Sequence, residues 1–304
     1  MKRILFCTGE GIGNFVQTIP VIRTLKEVLG YKVDVWWAFS SYLYSGKMIP
    51  YADRMFFGQG IEKAKADDYV GKVATTWVKH LKDVAQLSKI KLLNEIKPLR
   101  MDRSEVDIYM DIARELGAEE KDLLWHGNCN YGEVEEKYDI VIHNGYNIHG
   151  SADWSIKSYP HYEELVEYLE GLSVCSVGAK HEYINGTKNE TNKDLMYTLG
   201  LIKNCRLFLG NDSGLYHCAN ALEKDNIVLF TATSIAKNYN RKFHKYSTVI
   251  TRDDLECRPC QANRGWKNCI TKDCKEIDPE VILNAIKMII QARFMSDAGE
   301  YHGK

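Results

Sequence analysis

The chain has 304 residues, room for about two domains of ordinary size. Hydrophobic residues make up 45% and charged residues 27%, a balance that excludes a disordered tail. Forty Lys and Arg against forty-one Asp and Glu leave a formal charge of −1. That argues against coating DNA or an anionic membrane, while leaving room for a local basic pocket.

No apolar run approaches the ~18–20 residues of a membrane-spanning helix. The basic start Met1-Lys2-Arg3 leads into Ile4–Cys7, too short for a signal-peptide core before Thr8-Gly9-Glu10-Gly11 intervenes. The N-terminus therefore reads as a first strand and the expected location is cytoplasmic. Nine cysteines, an odd number, then favour free thiols or metal ligation over a disulfide framework.

Short β-branched runs alternate with amphipathic stretches. A strand is expected at Arg3–Cys7, followed by a Gly-rich turn. A helix over Asn14–Leu29 carries Val16, Ile19, Ile22, Leu25, Val28 and Leu29 at helical spacing, kinked or delayed by Pro20. Val33–Phe39 is apolar enough for burial on both faces, as in a parallel sheet. The middle, Gly58 to Gly117, reads as mostly helical, with a helix start at Ser104 and a stop at Gly117. The acidic stretch Tyr131–Lys137 separates two domains, 1–134 and 135–304. In the second, strands at Asp139–His143, Ser173–Val177, Arg206–Leu209 and Asn226–Phe230 alternate with helices at Tyr162–Leu169, Lys193–Ile202 and Ser213–Leu222. A last helix, Pro279–Phe294, starts from Asp278 as N-cap and is a candidate to pack back on the N-terminal domain. The fold class is α/β.

Two loops stand out chemically. Gly9-Glu-Gly-Ile-Gly13-Asn14 is either a phosphate-approaching loop or a tight strand-to-helix turn. Its G-x-G-x-G spacing differs from the dinucleotide fingerprint, and the acid expected at the end of the second strand is missing, Asp34 lying near its start. The segment Leu207–Ala221 runs from an apolar strand through Asp212-Ser213-Gly214 into a helix with His217 one turn in. Asp212 and Ser213 can cap that helix, Gly214 exposes its amides, and His217 faces whatever sits at its N-terminus. This arrangement suits a diphosphate. His143 and His149, in the polar segment ending the second half's first strand, are further candidates for ligand contact.

Four motifs in order resemble glycosyltransferase family 9, the heptosyltransferase-like enzymes with two facing Rossmann-like domains (GT-B architecture). Gly13-Asn14-Phe-Val-Gln-Thr-Ile-Pro20-Val-Ile-Arg-Thr-Leu25 matches the family's Gly-Asp-x-x-x-Thr-x-Pro-x-x-x-x-Leu opening. Lys157-Ser-Tyr-Pro160 matches Lys-x-Trp-Pro, Val177-Gly-Ala-Lys-His-Glu182 resembles Gly-x-x-x-Glu after a strand, and Asp212-Ser-Gly-x-x-His217-x-x-x-Ala221 matches Asp-Thr-Gly-x-x-His-x-x-x-Ala. The resemblance implies an N-terminal acceptor-side domain and a C-terminal domain for a nucleotide-sugar donor, with the substrate in a cleft between them. Lys157 would contact a donor phosphate, Glu182 the ribose or nearby groups, and Ser213, Gly214 and His217, beside Asp212, the diphosphate. No catalytic divalent metal is implied. The Thr231–Ser234 loop is expected near the nucleotide.

The opening motif departs at Asn14, where the family carries an aspartate taken as the base. An amide accepts no proton at neutral pH. Glu10, on the same loop, is the nearest alternative base. A second feature is the Cys-rich loop Cys257-x-x-Cys260-x8-Cys269-x4-Cys274, whose clustering suits a structural zinc or iron. Similar clusters occur in some members of the resembled family; the alternative is four reduced thiols in a surface loop. The expected function is inverting transfer of a sugar from a nucleotide diphosphate-sugar, ADP-heptose-like by resemblance, to a glycan, lipid or protein hydroxyl. The alternatives are a nucleotide-sugar epimerase and a catalytically inactive nucleotide-sugar-binding homologue. Nucleic-acid partners are not expected.

Overall fold

The computed structural model describes residues 2–9, 11–38, 48–75, 84–96, 100–146, 153–261 and 265–301. They form two compact units: Met1–Asn130 with Ala236–Lys245, and Tyr131–Ile235 with Tyr246–Lys304. Each unit is an α/β body around one parallel sheet, as the alternating pattern predicts.

The first unit contains β1 (Arg3–Thr8), α1 (Ile12–Val16), α2 (Ile19–Glu27), β2 (Lys32–Trp37), β3 (Arg54–Phe57), β4 (Gly71–Ala74), α3 (Ala85–Ser88), β5 (Leu92–Glu95) and α4 (Glu105–Glu115). Its strand order is β3-β2-β1-β4-β5, all parallel. The expected kink at Pro20 is a full break: α1 ends at Val16, and α2 restarts with Pro20 in its first turn, where the missing N–H costs nothing. Ser104 caps α4, its Oγ accepting from the Asp107 N–H at 3.3 Å. One expectation fails. Among its described residues the stretch from Gly58 to Gly117 is not mostly helical; before α4 these hold β4, β5, two short 3-10 turns and the four-residue α3. Its strands are too short to announce themselves by periodicity, and pairing against the buried β1 decides their conformation.

The second unit contains β6 (Ile140–His143), α5 (Tyr162–Glu167), β7 (Val174–Ser176), β8 (Lys188–Asn189), α6 (Leu195–Asn204), β9 (Leu207–Asn211), α7 (Gly214–Ala221), β10 (Asn226–Phe230), the start of α8 (Ile235–Asn238), β11 (Ser247–Thr251) and α9 (Pro279–Tyr301). The sheet order is β11-β10-β9-β6-β7-β8, again parallel throughout. Counted within the unit this is the doubly wound order of a Rossmann sheet, which reverses direction between β6 and β9. Alternation along β6 sends Ile140 and Ile142 into a core with Tyr159, Tyr162 and Leu165. Ile282, Ile286 and Ile290 of α9 pack into that same core. Asp278 caps α9, its Oδ1 accepting from the Glu280 N–H at 2.9 Å.

Cys7, Cys175, Cys205 and Cys218 are buried, as expected of small core residues, and so is Cys129. Among the described residues no helix is long and apolar enough to cross a membrane. Asp34 is fully buried in β2 and accepts from Arg3 Nη1 at 2.5 Å, Arg54 Nε at 2.8 Å and the Tyr69 hydroxyl at 2.9 Å, tying β1, β2 and β3 together. Removing the carboxylate would take from Arg3, Arg54 and Tyr69 their shared buried acceptor while leaving Arg54 its pairing with Asp68, so Asp34→Ala is expected to cost about 2–3 kcal/mol, read as a lower urea midpoint at unchanged slope.

Candidate functional site

In a doubly wound sheet the strands part where the order reverses, leaving a crevice at their carboxyl ends. In the second unit that crevice falls between β6 and β9, so the residues closing those strands, His143 and Asn211, are placed there by topology. Three further segments meet them: the 3-10 turn Ser155–Lys157, the 3-10 turn Lys180–Glu182 after β7, and the N-terminus of α7.

Asp212 follows β9 and is almost wholly buried. Lys157 Nζ donates to its main-chain oxygen at 2.8 Å and its Oδ2 at 3.2 Å. His217 Nε2 lies 3.9 Å from Oδ1. Burial works against charge on Asp212, but Lys157 and then His217 outweigh it and hold the carboxyl below its ordinary value. Lys157 also sits over the Trp154 ring, 5.1 Å from its centroid. An ammonium and an imidazole are thus gathered around one buried carboxylate at a helix start.

Ser213 is the N-cap residue of α7, yet its side chain caps no helix N–H. Its Oγ lies instead 3.0 Å from His143 Nδ1. The other ring nitrogen, Nε2, lies 3.3 Å from Glu182 Oε2. Glu182 Oε2 also accepts from the Ala179 N–H at 2.6 Å. Burial opposes the charge on Glu182, but His143 and the Ala179 N–H hold its carboxyl below the ordinary value. Glycines make room for the pair: a Cβ at Gly145 would overlap His143 Nε2, and one at Gly178 would overlap Glu182 Oε2. Gly178 also takes φ +119°, a left-handed conformation that side-chain-bearing residues avoid.

Lys157, Glu182, Asp212, Ser213, Gly214 and His217, proposed from sequence, therefore converge at the crevice of the second unit. His143 was a candidate contact whose central position between Ser213 and Glu182 the chain alone does not display; its one signal is its place at a strand end. Glu10 and His149 lie outside the described residues. In the Thr231–Ser234 loop, the Thr231 hydroxyl donates to the Ile156 oxygen at 2.8 Å, joining that loop to the Lys157 turn.

Asn14 belongs to the first unit. Its Nδ2 donates to Glu105 Oε1 at 2.6 Å, and the Tyr109 hydroxyl donates to the same oxygen. Lys237, in the segment Ala236–Lys245 that returns to this unit, donates from Nζ to Glu105 Oε2 at 3.1 Å. Glu105 and Lys237 are both buried. Sequence reasoning missed both because 132 positions separate them.

Cys274 is buried, Cys260 and Cys269 are half-buried and Cys257 is exposed. Burial and then the neighbouring Cys260 push the Cys274 thiol up to about 11, against Arg258, with Cys269 and Cys257 adding further. Among the described residues no group of three or more His, Cys, Asp or Glu side chains is arranged to hold a metal ion. The Cys-rich segment does brace the site. Trp266 packs on Trp154 with ring centroids 4.4 Å apart, and Lys275 Nζ donates to Ser158 Oγ at 3.1 Å.

Residues 134–270 match glycosyltransferase family 9 (heptosyltransferase). Lipooligosaccharide heptosyltransferase 2 of Haemophilus ducreyi is 24% identical over 156 residues, a match spanning 44% of this chain and 44% of that protein. Two solved structures share the fold across nearly the whole chain. The ADP-heptose LPS heptosyltransferase II of E. coli superposes with a TM-score of 0.72 at 18% identity, covering 96% of this chain and 100% of the other. A glycosyl transferase family 9 protein from Veillonella parvula gives 0.70 at 14% identity, covering 96% and 98%.

Lys157→Met removes the ammonium nearest to the buried Asp212 carboxylate. The expected loss is about 3 kcal/mol at neutral pH, measured by denaturant unfolding. Asp212 has its pKa lowered in the fold, so its contribution is present above the unfolded carboxylate pKa of about 3.9 and disappears as pH falls through the folded value. The gap between wild type and variant should accordingly narrow in acid.

Proposed function

We propose that this chain, which resembles glycosyltransferase family 9, transfers a sugar from a nucleotide diphosphate-sugar to a hydroxyl of a glycan, lipid or protein, with inversion. The observation that carries the reading is the gathering of Lys157, His217 and the α7 N-terminus, left without a side-chain cap, at the crevice of a doubly wound sheet. In such a transfer the acceptor oxygen bonds to the anomeric carbon while the bond from that carbon to the diphosphate oxygen breaks. The electron pair departs with the nucleoside diphosphate, and the acceptor's proton passes to a base. Cationic groups and amides already aimed at the departing charge lower that barrier without rearranging water. Lys157, Ser213, Gly214 and His217 would hold the diphosphate, with Asp212 orienting Lys157 and His217. Glu182, turned towards His143, would act at the ribose or nearby groups.

The base is a separate matter. The Asn14 amide donates to Glu105 and takes no proton. An aspartate at position 14 would set its carboxylate against that of Glu105. Glu10 remains the proposed base. Asn14 also favours a second reading, a nucleotide-sugar-binding homologue without transfer activity. A structural zinc or iron at Cys257, Cys260, Cys269 and Cys274 is proposed from their spacing in the chain alone, and no catalytic step depends on it.

A thermal-shift panel of ADP, GDP, UDP and their sugar conjugates tests the donor reading. Selective stabilisation by one nucleotide class is expected, about 2.7 kcal/mol at a hundredfold excess over Kd, with ADP and ADP-heptose the favoured pair. No response to any diphosphate overturns the reading. Sugar release or transfer from the stabilising donor, followed with acceptor mixtures, separates an enzyme from a binding homologue. Metal analysis of protein purified without added metal is expected to find about one zinc or iron per chain, and a chelator to lower the Tm; protein free of both metals overturns that proposal.

A further inference from the structure

We propose that Trp266, in the Cys-rich segment, is a positioning residue for Lys157, acting through the Trp154 ring to hold the ammonium where a nucleoside diphosphate would meet it. This rests on the donor reading above and extends it to a residue outside the proposed diphosphate contacts.

Lys157 ends a 3-10 turn of only three residues, Ser155–Lys157. So short a turn has too few internal hydrogen bonds to fix a flexible four-carbon stem by itself. What holds it comes from far along the chain. Ahead of the turn, Trp266 Nε1 donates to the Asp153 main-chain oxygen at 3.1 Å. The Trp266 ring packs on Trp154 with centroids 4.4 Å apart and planes inclined at 31°. After the turn, Lys275 Nζ donates to Ser158 Oγ at 3.1 Å. Within it, Ile156 shares a small core with Ala232, Trp266 and Cys274. The Cys-rich segment thus grips the turn at both ends and through its buried residue.

That grip reaches the ammonium through one ring. Lys157 Nζ lies 5.1 Å from the Trp154 centroid, within range of a cation–π contact. Trp266, only 6% exposed, backs the same indole. Nζ is therefore held both by the Asp212 oxygens, at 2.8 and 3.2 Å, and by an aromatic ring. An arriving phosphate would compete with Asp212 Oδ2 for this ammonium. The ring is no rival for that phosphate, since it offers the cation a π face and no oxygen. It can keep Nζ near the helix start while the hydrogen bond changes partner. An ammonium fixed in advance spares the cost of ordering a long side chain on binding. Without Trp266, both the ring beside Lys157 and the turn that carries it lose support.

The test is calorimetric affinity for ADP, GDP and UDP across a double-mutant cycle. Trp266→Ala is expected to weaken binding of the preferred nucleotide about five- to tenfold, from the lost cation–π contact and the ordering of one long side chain. Trp266→Phe keeps a ring against Trp154 and is expected to recover most of that loss. Placed in Lys157→Met, Trp266→Ala should change affinity by less than about twofold, because the lysine it positions is gone. A substitution that merely loosened the fold would lower affinity by the same factor in both backgrounds. Should Trp266→Ala not unfold cooperatively, Trp154→Leu carries the same cycle. Where Lys157→Met binds too weakly to measure, the cycle is read from urea midpoints, and additive losses there count against the proposal. Wild-type affinity in Trp266→Ala, or equal losses with and without Lys157, overturns the proposal and leaves the donor reading intact. A wild type that binds none of the three nucleotides overturns the donor reading and this proposal with it.

Discussion

A buried carboxylate at the end of β9 organises the functional end of the second unit. Asp212 could not remain charged there unaided, because removing an anion from water is costly. Lys157 and His217 offset that cost, and in doing so are brought to the start of α7. Lys157 and His217, which satisfy Asp212 in this structure, are the side chains proposed to meet a diphosphate. Under the proposed function a ligand's phosphates would compete with Asp212 for Lys157.

Around this centre the neighbouring segments serve as braces. The Lys157 turn is held by the Thr231 hydroxyl, by Lys275 on Ser158 and by the Trp154–Trp266 contact. Ile156, Ala232, Trp266 and Cys274 form a small core of their own. The Cys-rich segment thus bears on the lysine through packing. Arg258, donating to Phe230 O and Arg252 O at 3.0 Å each, pins the same segment to the end of β10 and the loop after β11.

The first unit carries a different polar centre. Glu105 takes hydrogen bonds from Asn14, Tyr109 and Lys237, an arrangement in which the amide of Asn14 and the carboxylate of Glu105 are matched as donor and acceptor. Seen this way, the asparagine that departs from the family motif is not an isolated change. It fits a carboxylate that already occupies the adjacent position. The segment Ala236–Lys245 contributes the cation, and Asn240 Nδ2 adds a bond to Ser104 Oγ at 2.7 Å.

Much of this was legible in the chain. Apolar density gave away β1, β2, β6, β9 and β10, Pro20 marked a helix break, and Asp212-Ser-Gly with His217 marked the polar cluster at the start of α7, because these signals are local and each has a steric or electrostatic cause within a few residues. The short β4 and β5 were misread, since four-residue strands acquire their conformation from their neighbours. His143 beside Ser213, seventy positions apart, and Lys237 beside Glu105 were beyond reach for the same reason. The sequence by itself determined the α/β rhythm, the helix starts and the charged residues available to a site. Only the tertiary structure decided which of those charges face one another, because strand order in a parallel sheet, not distance along the chain, sets which strand ends share a crevice.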